Sequence, residues 1–254
     1  MKYFSLFFRL MLIGIVCSLS LPSFSQGVAI YKKDGTMVKY AYEEIDSIVA
    51  YNYGEMPGTS VVVPEAVDLG LPSGLKWAAH NVGATKPEDF GGYYAWGETE
   101  EKEDYSWSTY KWCNGSSSTM TKYCTSGSYA TVDDKEILDP EDDVAHVKWG
   151  GDWRIPTKTE QDELCNNCTW EWTTLNGVNG YKVTGPNGNS IFLPAAGYRS
   201  DSDVVLRGDF GSYWSDSLSS EGCHYADELS FSDERFMCYF GNRYIGHSVR
   251  PVCK

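Results

Sequence analysis

Cys165-Asn166-Asn167-Cys168 has the spacing of a redox pair. In a CxxC motif the first thiol reacts as a thiolate, and a helix N-terminus favours that form. Here the pair falls at the C-terminal end of a predicted helix, where the dipole disfavours it. A structural disulfide or a buried thiol is therefore the expected role. One CxxC with no second pair and no nearby histidines is also a poor zinc site. His80, His146, His224 and His247 are scattered, and GxSxG, HExxH and phosphate-loop patterns are absent. Acids are plentiful, but their spacing supports no glycosidase pair. The chain reads as non-catalytic.

Asp133, Asp134, Asp139, Glu141, Asp142 and Asp143 carry oxygens of the kind that hold a structural calcium. Helix capping and a solvated face explain them without a metal, and no cofactor is expected. The stretch 198–245 is the candidate contact surface, with Arg199, Arg207, Arg243 and several aromatic residues. Tyr, Trp and Arg anchor interfaces. Trp214, Leu229 and Phe231 are expected in the core. Tyr225, Arg235, Phe236 and Tyr239 are expected to line a surface that recognises a glycan or a surface protein.

The formal charge of the 254-residue chain is -14. Such a chain repels phosphate backbones, and no basic stripe offsets it, so nucleic acid is a poor partner. Residues 1–25 read as a signal peptide: Lys2 and Arg9, an apolar run, then Ser23, Phe24 and Ser25 before the expected cut. The run is too short and interrupted for a comfortable membrane span, and no other segment is expected to cross a bilayer. The expected location is secreted, or on the outer surface of a bacterium. Eight cysteines include Cys17, so seven would remain after cleavage. That compartment permits disulfides, and an odd count leaves one thiol over. Cys113 and Cys124, which flank a short polar loop, are a plausible pair, as are Cys223 and Cys238, which flank an apparent hairpin. Cys165, Cys168 and Cys253 stay unassigned.

Residues 26–53 read as a small β appendage, with a turn at Lys33-Asp34-Gly35 and a third strand ending near Tyr51. Residues 54–63 read as a linker and 64–254 as the main domain. Within it, 98–135 is predicted to be a long polar loop of the kind that carries function. One helix is predicted from Asp139-Pro140-Glu141-Asp142, with Val144, Ala145 and Val147 inward and Gly150-Gly151 ending it. A second follows Thr157, whose capping box closes with Glu160, and ends near Asn166 or Asn167. Short strands follow, punctuated by Asn176-Gly177, Asn179-Gly180 and Asn187-Gly188. Two more are predicted at Tyr93–Gly97 and Ser248–Val252. Two helices followed by antiparallel strands is an α+β pattern.

Six stretches carry a resemblance. They are Val67 to Leu71, Asn81 to Ala84, Tyr93 to Glu98, Trp149 through Thr157, Phe192 to Arg199, and Gly246 through Cys253. In that order they resemble the Fibrobacter succinogenes major paralogous domain family across nearly all of 64–254. The resemblance implies a C-type-lectin-like domain, related to the formylglycine-generating-enzyme fold. It says little about ligand. A copper-dependent oxidase of that type and a structural adhesin are the alternatives to a recognition module. His80 stands where family members often carry a cysteine, which leaves a Cys168–Cys253 bond in doubt. Sugar-binding lectins of this fold bind calcium through Glu-Pro-Asn or Gln-Pro-Asp. This chain has Gly185-Pro186-Asn187, which lacks the first ligand.

Overall fold

A computed structural model describes residues 27–31, 37–41, 64–128 and 132–254. The chain divides into two compact units, Met1–Thr59 and Ser60–Lys254. The signal stretch 1–25, the turn at 33–35, the third strand near Tyr51 and the linker 54–63 lie outside the described residues. In the first unit, β1 (Gly27–Tyr31) and β2 (Met37–Ala41) pair antiparallel, with Tyr31 opposite Met37.

The second unit is mixed and mostly strand, roughly α+β, with two α-helices and several small antiparallel sheets among the described residues. β3 (Ala66–Asp68), β4 (Lys76–Ala78) and β13 (Val252–Cys253) form one sheet. β5 (Thr169–Leu175), β6 (Val178–Thr184) and β7 (Ser190–Pro194) form a second. β8 (Tyr198–Ser200) pairs with β9 (Asp203–Val205). β10 (Phe210–Leu218), β11 (Tyr225–Ser232) and β12 (Phe236–Asn242) form the sheet that matters below. Among the described residues, no helix is long and apolar enough to cross a membrane.

The helices are α1 (Val144–Trp149) and α2 (Lys158–Asn167). At α2, the Thr157 hydroxyl accepts from the Glu160 amide at 3.2 Å and the Glu160 carboxylate accepts from the Thr157 amide at 2.8 Å. This is the predicted capping box. The first helix starts later than predicted. Pro140–Asp142 is a single 3₁₀ turn, and Asp143 is the cap. Its Oδ1 accepts from Ala145 and His146, and its Oδ2 accepts from Ile155 at 2.8 Å. Val144 and Ala145 are buried, but Val147 is 48% exposed, because six residues present only one inward turn.

Asn176 and Gly177, both at positive φ, make the two-residue turn between β5 and β6. Asn179-Gly180, predicted as a turn, instead lies within β6. A Cβ on Gly180 would sit 2.2 Å from the Leu193 carbonyl, so glycine allows close strand pairing there. The predicted strand at Tyr93–Gly97 makes only a bridge, Tyr94 to His247. Its backbone bonds go to separate places: Tyr94 donates to His247 and Trp96 to Arg243. Of the predicted strand 248–252, only its end joins a ladder, where Val252 pairs with Trp77. The polar stretch after Gly97 is anchored rather than open. Tyr105, Tyr110, Met120 and Tyr123 are buried.

Cys124 and Cys223 are joined by a disulfide. This corrects both pairs favoured by loop spacing. Cys113 turns toward its own loop, where its thiol lies 3.1 Å from the Trp107 carbonyl. Cys238 lies within β12, opposite Leu229, rather than beyond the strand pair. Cys168 and Cys253 are not bonded: Cys168 packs by the Leu164 core and Cys253 by Trp153 in another cluster.

Two arginines are fully buried. The Arg250 guanidinium donates to Asn81 Oδ1 and Phe192 O at 2.8 Å each, and to Ala78 O at 3.1 Å. Burial lowers its pKa to about 10. Arg243 donates to the Tyr110 hydroxyl and to the carbonyls of Cys223, Tyr123 and Lys122, and lies 4.7 Å from the Trp96 ring. Replacing Arg250 with Met strands several buried acceptors, so Arg250→Met is expected to cost about 3 kcal/mol or more. Thr157→Ala, which removes one cap, should cost about 1 kcal/mol. Urea unfolding of both variants checks the ranking, and a smaller loss for Arg250→Met would contradict the role assigned to it.

Candidate functional site

β11 is the central strand of its sheet, and its register sorts the candidate residues. Glu228 stands opposite Trp214 and Tyr239, and Ser230 opposite Ser212 and Met237. Because side chains alternate along a strand, these residues share one face. Tyr213, Leu229, Phe231, Phe236 and Cys238 share the other, and this face packs on the core beneath α2.

The first face bounds a groove of about 570 Å³. Tyr239 and Met237 line it, 51% and 39% exposed, with Arg235 from the β11–β12 turn and Phe210 at the start of β10. Glu228, Ser230 and Ser232 add a carboxylate and two hydroxyls. The groove thus offers an aromatic face, a cation, an anion and hydroxyls within one depression.

The four residues predicted to form the surface do not lie together. Arg235 and Tyr239 line the groove. Phe236 faces inward and stacks on Trp170, with ring centroids 4.4 Å apart. Tyr225 falls on that same inward parity and tilts against Phe240 at 4.9 Å and His224 at 4.0 Å. Arg243 is core, as above. Arg199 and Arg207 brace loops: Arg199 donates to Lys102 and Ser202 carbonyls, and Arg207 to the Tyr93 hydroxyl. Trp214, Leu229 and Phe231 are buried, as predicted. Glu228 and Met237 have no sequence signal of their own, and only the strand register brings them to the groove.

Beneath the groove lies a Ser–His–Glu cluster. Ser212 Oγ donates to Glu228 Oε2 at 2.9 Å, and His247 Nδ1 is 2.8 Å from the same oxygen. His247 Nδ1 is also 3.1 Å from Ser212 Oγ. A catalytic triad needs the serine and the acid on opposite ring nitrogens. Here both meet Nδ1, and Ser212 is itself buried. His247 also stacks on Trp214 at 4.0 Å. This arrangement differs from a triad and ties the three side chains together beneath the groove. Gly241 completes the floor, since a Cβ there would come within 2.7 Å of Glu228 Oε2.

Four of the six candidate calcium ligands, Asp133, Asp139, Asp142 and Asp143, are engaged by protein groups, the last as the cap described above. Asp142 receives Lys111, Lys122 and the Tyr123 hydroxyl. Asp139 pairs with Lys122 and Lys135. Asp133 accepts the Tyr123 and Cys124 amides at 2.8 Å each. Among the described residues, no group of three His, Cys, Asp or Glu side chains could hold a metal ion. The CxxC sits at the end of α2, with Cys168 as its C-cap. Burial raises the Cys168 thiol to about 11, the reverse of what a nucleophile needs.

A second cleft, of about 330 Å³, contains Asp143, His146, Arg154 and Asp216. Burial pushes the Asp216 carboxyl up to about 7. Ser217 and Arg154 oppose that shift, while Asp143 and Glu160 add to it. Burial also raises Asp143, against the pull of three backbone amides. Those amides leave Asp143 a cap rather than a second catalytic acid. Asp216 ionises more readily in the unfolded chain than in the fold. Its contribution to stability is therefore full below about pH 4 and lost as pH rises through 7. Asp216→Asn removes this dependence. The variant should gain stability relative to the parent by up to about 4 kcal/mol at pH 8, and little at pH 4. Urea unfolding of both proteins across that range checks it, and an equal difference at both ends would refute the shift.

Comparison with family models, curated proteins and solved structures returns no match for this chain.

Proposed function

We propose that this protein is an exported, non-catalytic recognition module that binds a glycan in the groove over β10–β12. The observation that carries this reading is the pairing of the exposed Tyr239 ring with Arg235 in one polar-edged depression. An aromatic ring packs against the C–H face of a sugar. Arg235 can meet its hydroxyls from the side. The reading extends to a C-type-lectin-like fold of the Fibrobacter succinogenes major paralogous domain family. It rests there on the six ordered stretches, among them Trp153-Arg154-Ile155-Pro156-Thr157. Export rests on the signal-like start, and the acidic charge argues against nucleic acid as partner.

A protein ligand is the second reading, favoured by the position of β12. It is the last strand of its sheet, and Met237 and Tyr239 project from it. An edge strand can accept an added strand from a partner. The oxidase alternative would need a reactive cysteine pair, and the raised Cys168 thiol argues against one. An adhesin role through residues 26–53 would show as assembly that fails when they are removed.

The test is a broad glycan array, probed with and without a calcium chelator. Specific binding is expected. Tyr239→Ala and Arg235→Ala should each weaken it at least about tenfold, a loss of about 1.4 kcal/mol. Tyr225→Ala should leave it within about twofold. Silence on the array, or binding untouched by the first two changes, would transfer the assignment to a protein partner.

A further inference from the structure

Cys165, in the last turn of α2, and Cys238, on the inward side of β12, bring their sulfurs to 3.6 Å. The two residues are 73 apart in sequence. Both are partly buried. Cys168, its CxxC neighbour, is a free thiol close enough to Cys165 to interact with it electrostatically, but is not bonded to it. Cys165 therefore faces across to the sheet, and the motif spacing does not describe its true neighbour.

We propose that Cys165 and Cys238 are a second disulfide site, closed by exchange with a small-molecule disulfide. A disulfide needs its sulfurs about 2.05 Å apart. The remaining gap is about 1.5 Å, so closure requires the two side chains to turn toward each other. The same fold already joins Cys124 to Cys223. The neighbouring Cys165 thiol, and then burial, keep the Cys238 thiol protonated; Asp162 acts in the same direction. Cys165 loses its proton and attacks one sulfur of oxidised glutathione. A mixed disulfide forms and one glutathione thiolate leaves, taking up a proton. Cys238 then loses its proton and attacks the Cys165 sulfur, displacing the second glutathione thiolate, which is protonated in turn. Two protein thiols are oxidised and one small disulfide is reduced to two thiols.

The bond would tie the end of α2 to the strand that carries Met237 and Tyr239. It does not depend on what the groove binds. The test equilibrates the reduced full chain in mixtures of reduced and oxidised glutathione, blocks free thiols by alkylation, and maps cross-linked peptides by mass spectrometry. A Cys165–Cys238 peptide is expected beside Cys124–Cys223, in the parent and in Cys168→Ser alike. Closing the bond should raise Tm by roughly 5 °C over a Cys165→Ser, Cys238→Ser double variant that keeps Cys124–Cys223. A Cys165–Cys168 link would overturn the assignment. So would alkylated Cys165 and Cys238 in samples where Cys124–Cys223 has formed.

Discussion

The interior of the second unit is organised by guanidinium groups that have carbonyls where carboxylates would be usual. Arg250 reaches from the chain end to the last residue of β4, to Asn81 and to β7. Of these, β4 and β7 belong to different sheets and share no ladder. Arg243 does the same for the stretch around Tyr110 and Tyr123, which has almost no regular structure of its own. A buried cation is tolerated only when its donors are met, and carbonyl dipoles meet them here. The irregular chain before α1 is therefore held by point contacts from side chains, with the Cys124–Cys223 bond beside them. Small sheets that share few hydrogen bonds can then pack as one body.

What was legible in the sequence was local. The Thr157–Glu160 capping box and the Asn176-Gly177 turn depend on residues within a few positions, and both form where expected. The burial of Trp214, Leu229 and Phe231 followed from their size and apolar character. What was not legible depended on pairing between distant segments. Arg243 resembles an interface anchor in a list of residue types, yet it is completely buried. Tyr225 and Tyr239 look equivalent by type, but strand parity puts them on opposite faces. The disulfide is hidden for the same reason: its partners sit 99 residues apart in sequence, and each has a nearer cysteine, Cys113 and Cys238.

The two faces of β11 carry different physics on alternating residues. The inward face is a stack of rings, in which Tyr213, Phe231, Tyr181 and Trp170 meet one another or Phe236. The outward face has a polar base, where Glu228, Ser212 and His247 satisfy one another over the buried Trp214 ring, and an exposed aromatic rim at Tyr239. A mutual polar floor keeps the groove shape without exposing an unmet charge. It leaves Tyr239 and Arg235 as the groups with freedom to meet a ligand.

The Cys124–Cys223 bond also has a mechanical consequence. The loop it closes contains both helices and every strand from β5 to β10. A pulling force applied at the two ends of this unit travels through the bond and bypasses that loop. With the two cysteines 99 positions apart in sequence, roughly 330 Å of chain is shielded from extension. Under load the unit can lengthen only through the segments outside the loop, and the shielded length becomes available in one step when the bond is reduced.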